Sequence, residues 1–188
     1  MKIKLIGMDI SMRNFGFAKA TLDTDTMEVV INELVLAETK AADKATKKKV
    51  RQNCLDLEDA RQMQQAMVKE CAGSAFAMIE VPVGSQSARA MMSCGLCIGI
   101  ISSCPTSIIP VTPTEVKKAG FGVSSATKEE MIEWAVAKHP EANWLRVKAT
   151  GKLLNKNEHL ADAVACIYAG INAPEFAQAL AVLKQISQ

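Results

Sequence analysis

Three carboxylates and one imidazole are placed in this sequence where they could support catalysis. Asp9 lies in a largely apolar segment near the N-terminus, Glu80 ends a second apolar segment, and Asp162 lies within a third. His159 precedes Asp162 by three residues, so on a helix both side chains project from the same face. A charge in apolar surroundings is costly unless it is paired. Each carboxylate therefore needs a cation, a hydrogen-bond network or a raised pKa.

Carboxylates that are brought together repel one another unless a divalent cation neutralises them. Carboxylate oxygens bind Mg²⁺ and Mn²⁺, and imidazole suits Mn²⁺ better. Two such ions about 4 Å apart would activate water and stabilise the leaving oxygen in phosphodiester cleavage, with His159 as a candidate general base. The alternative for each residue taken alone is structural, with Asp9 capping its own turn and His159 and Asp162 serving as hydrogen-bonding residues of a helix.

Five apolar segments predict the strands that position these residues. Two lie within residues 2–18 around a tight polar turn, and the others span 27–37, 76–82 and 107–111. Short turns join the first three, which predicts an antiparallel meander. If the fourth strand lies parallel to the first, Asp9 and Glu80 come close together.

Helical patterns fill most of the remaining chain. They cover residues 50–72, 86–104, 113 to about 120, 128–138, 158–169 and 174–186. Thr112 with Glu115 and Thr127 with Glu130 form capping boxes, and Asn157 is expected to cap the helix after it. Three strands joined by short turns, followed by helices that alternate with two further strands, predict an α/β fold with a five-stranded mixed sheet flanked by helices.

Two basic segments are candidate phosphate-binding arms, although a solvated surface would also explain them. Residues 39–51 contain six basic side chains and the single acid Asp43, and residues 142–156 contain four basic side chains and no acid. The second segment lies in an irregular loop. The candidate DNA contacts in these arms are Lys47, Lys48, Lys49, Arg51, Arg146, Lys148 and Lys152.

Composition bounds the remaining possibilities. The 188 residues fit one domain, and a net charge of +2 does not by itself indicate a polyanion partner. We expect neither a signal peptide nor a membrane span, because the N-terminus is a strand and no run of about 18 apolar residues occurs. Six cysteines in apolar helical segments are expected to be buried free thiols of a cytoplasmic protein. The spacing of Cys94 and Cys97 is interpreted as core packing, with zinc binding or redox use as the alternative.

Four motifs, in this order and spacing, resemble the RuvC family of Holliday junction resolvases, within the RNase H-like nuclease superfamily. The resemblance extends over nearly the whole chain. Its motifs are Gly7-Met8-Asp9 with Asn14-Phe15-Gly16, Ala77-Met78-Ile79-Glu80, Thr114-Glu115-Val116-Lys117-Lys118 through Ser125-Ala126-Thr127-Lys128, and His159-Leu160-Ala161-Asp162-Ala163.

The resemblance implies one RNase H-like nuclease domain over residues 1–188. It implies a homodimer that uses Mg²⁺ or Mn²⁺ to make paired nicks across four-way DNA junctions. Asp9, Glu80, His159 and Asp162 map to the metal-binding set, in which the family carries either Asp or His at the position of His159. Lys117 and Lys128 fall on lysines near the scissile phosphate and the junction backbone, with Lys118 beside them as a DNA contact. The helix over 86–104, whose Gly95 and Gly99 permit either tight packing or a subunit interface, matches the dimer helix.

The sequence also departs from the family. An aromatic residue often follows the strand-four glutamate by three positions and stacks at the junction centre, whereas this chain has Val83. The loop over 141–156 is longer than in bacterial members, which suggests an added DNA contact and a phage or divergent member. One rival interpretation is a non-cleaving module that binds branched DNA. Another is a fragment of an actin-like ATPase or sugar kinase, but the chain lacks the length and the second Gly-rich phosphate loop.

Overall fold

A computed structural model describes residues 1–186 of the chain. The strands are β1 (Lys2–Ile10), β2 (Asn14–Asp23), β3 (Val29–Glu38), β4 (Phe76–Glu80) and β5 (Ser107–Val111). The helices are α1 (Lys44–Lys49), α2 (Gln52–Glu70), α3 (Ala88–Ser102), α4 (Pro113–Phe121), α5 (Lys128–Lys138), α6 (Asn157–Ile171) and α7 (Pro174–Ile186).

The five strands form one mixed sheet in the order β3-β2-β1-β4-β5. β1 to β3 are antiparallel, whereas β4 lies parallel to β1 on one side and to β5 on the other. This confirms the predicted meander and the predicted place of the fourth strand. Met8 pairs with Ile79, so Asp9 and Glu80 follow at adjacent positions along the same edge of the sheet.

The two faces of the sheet have separate apolar cores. Ile6, Met8 and Ile79 pack toward α2 and α3, and the cluster on that side includes Met63 and Met67. Leu5 and Met78 belong to the opposite cluster, which is dominated by α6. Because side chains alternate along a strand, Asp9 and Glu80 share the face of Leu5 and Met78, which is the face covered by α6.

Two glycines allow α6 to approach this face closely. A Cβ added to Gly7 would overlap the carbonyl oxygen of Ala163, and one added to Gly16 would overlap the carbonyl oxygen of His159. Gly16 pairs with Asp9 across the β1–β2 ladder. The absence of a side chain at Gly16 therefore sets how near the first turn of α6 comes to Asp9.

We expect Gly16→Ala to destabilise the fold by roughly 1–3 kcal/mol, the usual cost of forcing an extra methyl group into a packed site. The measurement is urea denaturation of the variant and the wild type. Gly95→Ala is the matched control, since a Cβ at Gly95 meets nothing within 4 Å. Equal losses of stability at positions 16 and 95 would contradict this account of the packing.

Several predicted boundaries differ from those of the structure. β4 ends at Glu80 before Pro82, and the predicted helices over 50–72 and 86–104 are shorter, as α2 and α3. The basic segment contains an additional short helix, α1, because the Asp43 carboxylate accepts a hydrogen bond from the Thr46 amide and caps it. Both predicted capping boxes are confirmed at α4 and α5.

Asn157 is not the N-cap of α6, as predicted, but its first residue, and Lys156 occupies the cap position. The side chain of Asn157 is buried, and its Oδ1 accepts a hydrogen bond from the amide of Leu145. Its Nδ2 donates to the carbonyl oxygens of Leu145 and Leu154. It therefore ties down the loop that precedes the helix. Within that loop, Arg146 and Leu153 form an isolated antiparallel bridge.

The buried face of α2 is not purely apolar. Met63, Met67 and Cys71 are buried, and so are the acids Asp56, Asp59 and Glu70. Each of these acids has a basic partner from another element: Arg89 for Asp56, Arg13 for Asp59 and Lys19 for Glu70.

All six cysteines are free, and Cys71, Cys97 and Cys166 are buried. The expectation of burial is wrong for Cys54, which is exposed on α2, and Cys94 and Cys104 are half-buried. Cys97 lies in the core cluster beneath α3, in agreement with its interpretation as packing. Among residues 1–186, no helix combines the length and apolar character needed to cross a membrane.

Candidate active site

The four predicted site residues meet where α6 crosses the ends of β1 and β4. His159 and Asp162 lie in the first two turns of α6, above Asp9 and Glu80 on the sheet. Nδ1 of His159 lies 2.7 Å from Oδ2 of Asp9, and each of these two side chains is 16% exposed. The site is thus built from three elements that are far apart in the sequence.

The three carboxylates affect one another's ionisation. Burial raises the pKa of Glu80 to about 8, and the charges of Asp9 and Asp162 add to the effect. Burial likewise raises the pKa of Asp162 to about 7, with Asp9 as the main repelling charge. Metal-free protein at neutral pH therefore keeps protons on this cluster, because three ionised carboxylates in a site of low polarity are unfavourable.

His159 is affected by two opposing influences. Burial lowers its pKa, but the hydrogen bond and charge of Asp9 raise it, and the net shift is upward. The imidazole of the metal-free protein therefore holds its proton more tightly than a free histidine does. A role as general base requires that this proton leaves first.

The side chains of Asp9, Glu80, Asp162 and His159 are of types that bind Mg²⁺ or Mn²⁺, but they are not arranged around a single ion position. Within residues 1–186, no three His, Cys, Asp or Glu side chains converge closely enough to hold a metal ion. Three carboxylates and one imidazole are suitable ligands for Mn²⁺, and the carboxylates also suit Mg²⁺. A divalent cation would displace the protons held at Glu80 and Asp162 and relieve the repulsion that raises their pKa values.

Both lysines that the resemblance matched to family lysines lie at this cluster. Lys117 on α4 is half-buried, and its charge lowers the pKa values of both Glu80 and Asp162. Lys128 at the start of α5 forms an ion pair with Glu158 and also feels the charges of Asp162 and Asp9.

Lys118 is not brought to the cluster. It lines a separate cavity of about 330 Å³ together with Ala169 and Asn172, at the C-terminal end of α6. His159 and Asp162 lie at the opposite end of this helix, so any contact of Lys118 with DNA would be remote from the carboxylates.

The first basic arm borders a groove that includes arginines missed by sequence reasoning. Arg13 and Arg89 line a cavity of about 460 Å³ together with Lys40 and Lys47. Arg13, in the turn directly after β1, is held by Asp59 at 2.8 Å and by the Thr39 hydroxyl at 3.0 Å. The one sequence signal for Arg13 is that it follows Asp9 by four positions, in the turn directly after the strand that carries Asp9. Lys48, Lys49 and Arg51 are exposed beside it.

The second basic arm is anchored beside the active site. The backbone of Val147 and Lys152 is hydrogen-bonded, and Arg146 donates to the carbonyl of Gly151, so Arg146 helps to hold the turn together. Lys148 and Lys152 are exposed. The loop returns to the core at the buried Asn157, two residues before His159.

Glu158 is a further residue of the site that sequence reasoning missed. Its carboxylate lies 2.6 Å from Nζ of Lys128 and 3.5 Å from Nε2 of His159. As an acid in the first turn of a helix, Glu158 is ordinary in sequence, because such residues favour the helix dipole. The contact with Lys128, 30 positions away, carried no sequence signal.

No protein-family model matches the sequence, and no curated protein matches it either. Solved structures do resemble the fold. RuvC of Thermus thermophilus in complex with a Holliday junction substrate superposes with a TM-score of 0.62 at 14% identity, covering 89% of this chain and 92% of that one. A second Thermus thermophilus RuvC structure gives a TM-score of 0.59 at 14% identity, covering 90% of this chain and 92% of that one.

The resolvase of fowlpox virus, in complex with substrate Holliday junction DNA, gives a TM-score of 0.51 at 15% identity, covering 95% of this chain and 99% of that one. At such low identity these likenesses establish the fold. The RuvC-like, RNase H-like architecture predicted from the four motifs is therefore confirmed.

Proposed function

We propose that this protein is a metal-dependent endonuclease that resolves four-way DNA junctions by paired phosphodiester nicks. The observation that carries the proposal is that Asp9, Glu80, His159 and Asp162 lie around one end of β1 and β4, with His159 bonded to Asp9, on a fold shared with RuvC. The mutual repulsion of the three carboxylates is the property that a divalent cation would exploit.

Each residue of the cluster has a role in this chemistry. Asp9, Glu80 and Asp162 would hold Mg²⁺ or Mn²⁺, with His159 as a further ligand or as the base that takes a proton from water. Two bound ions would supply an activated water and stabilise the leaving oxygen. Lys117, already close to Glu80 and Asp162, would offset the charge that develops on the scissile phosphate.

Cations of two surface segments would contact the DNA backbone. One segment is the groove with Arg13 and Arg89, and the other is the loop with Lys148 and Lys152. Such contacts read phosphates and carry no sequence information directly, so binding should be selective for structure and should weaken with salt.

Paired nicks require two sites, and we propose a homodimer through α3. Gly95 and Gly99 are exposed on this helix and border a shallow groove of about 310 Å³ against α2. Leu57 and Ile98 are exposed near them, at 60% and 45%. Two copies of this surface could approach closely because the glycines present no side chains.

Gly99→Gln is expected to shift the protein from dimer to monomer without harming the protomer. A Cβ at Gly99 meets nothing within 4 Å of its own chain, so the new side chain has room in the monomer and obstructs only a partner. Sedimentation equilibrium over a range of concentrations gives the dimer dissociation constant. Glu129→Gln, at an exposed position on α5 outside this groove, is the control and should leave the dissociation constant unchanged. An unchanged dissociation constant in Gly99→Gln would place the interface elsewhere.

The free cysteines are consistent with a reducing compartment, and we propose a cytoplasmic location on that basis.

A panel of synthetic DNAs tests the proposed function. Four-way junctions, three-way junctions, forks and linear duplexes are incubated with the purified protein and Mg²⁺ or Mn²⁺. We expect four-way junctions to be nicked fastest and linear duplexes to remain intact. Equal cleavage of all substrates would indicate a general nuclease, and binding of the junction without cleavage would indicate a non-cleaving junction-binding protein.

A further inference from the structure

Glu158 links the active site to a lysine at its rim. Its two carboxylate oxygens face different partners: Oε2 lies 2.6 Å from Nζ of Lys128, and Oε1 lies 3.5 Å from Nε2 of His159. The other imidazole nitrogen of His159 is bound to Asp9 at 2.7 Å. Asp9, His159, Glu158 and Lys128 therefore form a continuous row of alternating acidic and basic groups.

The exposure of the two partners in the outer pair is unequal. The Glu158 side chain is only 22% exposed, whereas that of Lys128 is 73% exposed. The carboxylate is fixed in the first turn of α6, and the ammonium group reaches it from solvent at the start of α5. A DNA phosphate can approach Lys128 without displacing any part of the protein core.

A fourth carboxylate at this position carries a cost. Asp9, Glu80 and Asp162 already repel one another, and Glu158 adds a further negative charge that acts on Asp162. A favourable interaction with the helix dipole accounts for an acid in the first turn of α6, but not for its contact with both Lys128 and His159.

We propose that Glu158 is a positioning residue that holds Lys128 at the rim of the active site in the free protein. When DNA binds, a phosphate replaces Glu158 as the partner of Lys128. An ion pair this exposed is weak, so a DNA phosphate competes with it readily. Glu158, released from Lys128, keeps its place beside Nε2 of His159. This inference rests on the proposed function, because it requires a DNA phosphate to arrive at Lys128.

Glu158→Gln should change binding and cleavage in opposite directions. In EDTA, we expect the variant to bind a four-way junction about threefold more tightly, the effect of removing one weak competing ion pair. With Mg²⁺ or Mn²⁺ and saturating DNA, we expect single-turnover cleavage to slow by roughly tenfold, because His159 loses the carboxylate beside its Nε2. A merely structural role would weaken binding and cleavage together.

Two further variants isolate the lysine. Glu129→Gln removes the same charge one residue from Lys128, at an exposed position, and should leave both measurements nearly unchanged. In a Lys128→Gln background, Glu158→Gln should give no gain in affinity, because the restrained group is gone. A gain of equal size with and without Lys128 would overturn the proposal, as would weaker binding by Glu158→Gln.

The binding measurements in EDTA distinguish failure of this proposal from failure of the proposed function. If the wild type binds the junction in EDTA but cleaves nothing with either metal, the proposed nuclease activity fails. The dependence of the affinity gain on Lys128 then still decides whether Glu158 restrains the lysine. If the wild type does not bind the junction at all, both proposals are wrong.

Discussion

Asp9→Asn is expected to lower the rate of junction cleavage by at least about 10³-fold, because a ligand of a catalytic metal contributes several kcal/mol and each 1.36 kcal/mol is tenfold in rate. Asparagine keeps the size of the side chain and an oxygen that can accept the proton of His159 Nδ1, which lies 2.7 Å away in the wild type. The fold should survive, since only the charge is lost. Single-turnover cleavage of a labelled four-way junction with Mn²⁺ measures the effect.

Asp25→Asn is the matched control for this change. Asp25 lies in the turn between β2 and β3, where it pairs with the N-terminal amine, and it is well exposed. Its replacement should leave the cleavage rate unchanged. Cleavage by Asp9→Asn at a rate near that of the wild type would remove Asp9 from the catalytic centre.

Glu80→Gln is expected to stabilise the metal-free protein at pH 8.5 by about 3 kcal/mol, given 1.36 kcal/mol for each unit of pKa shift and a partial discount for solvent screening. Burial and the charges of Asp9 and Asp162 raise the pKa of Glu80 from 4.5 to about 8 in the folded state. Folding therefore takes up a proton between these two pH values, and stability falls as the pH rises through that window. Glutamine carries no charge and avoids this loss.

Urea denaturation in EDTA at pH 5 and at pH 8.5 measures the effect. At pH 5 the wild type and Glu80→Gln should have similar free energies of unfolding, because Glu80 is protonated in the folded wild type. At pH 8.5, Mn²⁺ should stabilise the wild type and have a much smaller effect on the variant. Glu175→Gln, at the exposed start of α7, should behave like the wild type throughout. A parallel pH dependence in Glu80→Gln and the wild type would show that the carboxylates do not repel one another as described.

The sheet and the central pair of acids were predictable because local signals agreed with the global fold. The apolar runs of β1 and β4 marked strands, and short turns dictated the antiparallel meander. Once β4 lies parallel to β1, Asp9 and Glu80 fall at one edge without further information. Spacing alone likewise placed His159 and Asp162 on one side of α6.

The buried acids of α2 were not predictable from local pattern. Asp56 and Asp59 resemble a solvated helix face, because their partners Arg89 and Arg13 come from other parts of the chain. Asn157 shows a different limit. An asparagine before a helix usually caps it, but here its side chain satisfies buried backbone groups of the preceding loop. Long-range pairing and loop anchoring both depend on contacts that a linear pattern does not contain.

The most direct test of a metal-dependent resolving centre at these carboxylates is cleavage of one four-way junction by the wild-type protein before and after addition of metal. The junction is bound in EDTA, Mn²⁺ or Mg²⁺ is added, and the products from all four strands are mapped. We predict an intact junction in EDTA and, after addition, paired nicks placed symmetrically in two opposing strands. A junction that stays bound and intact with either metal would contradict the account.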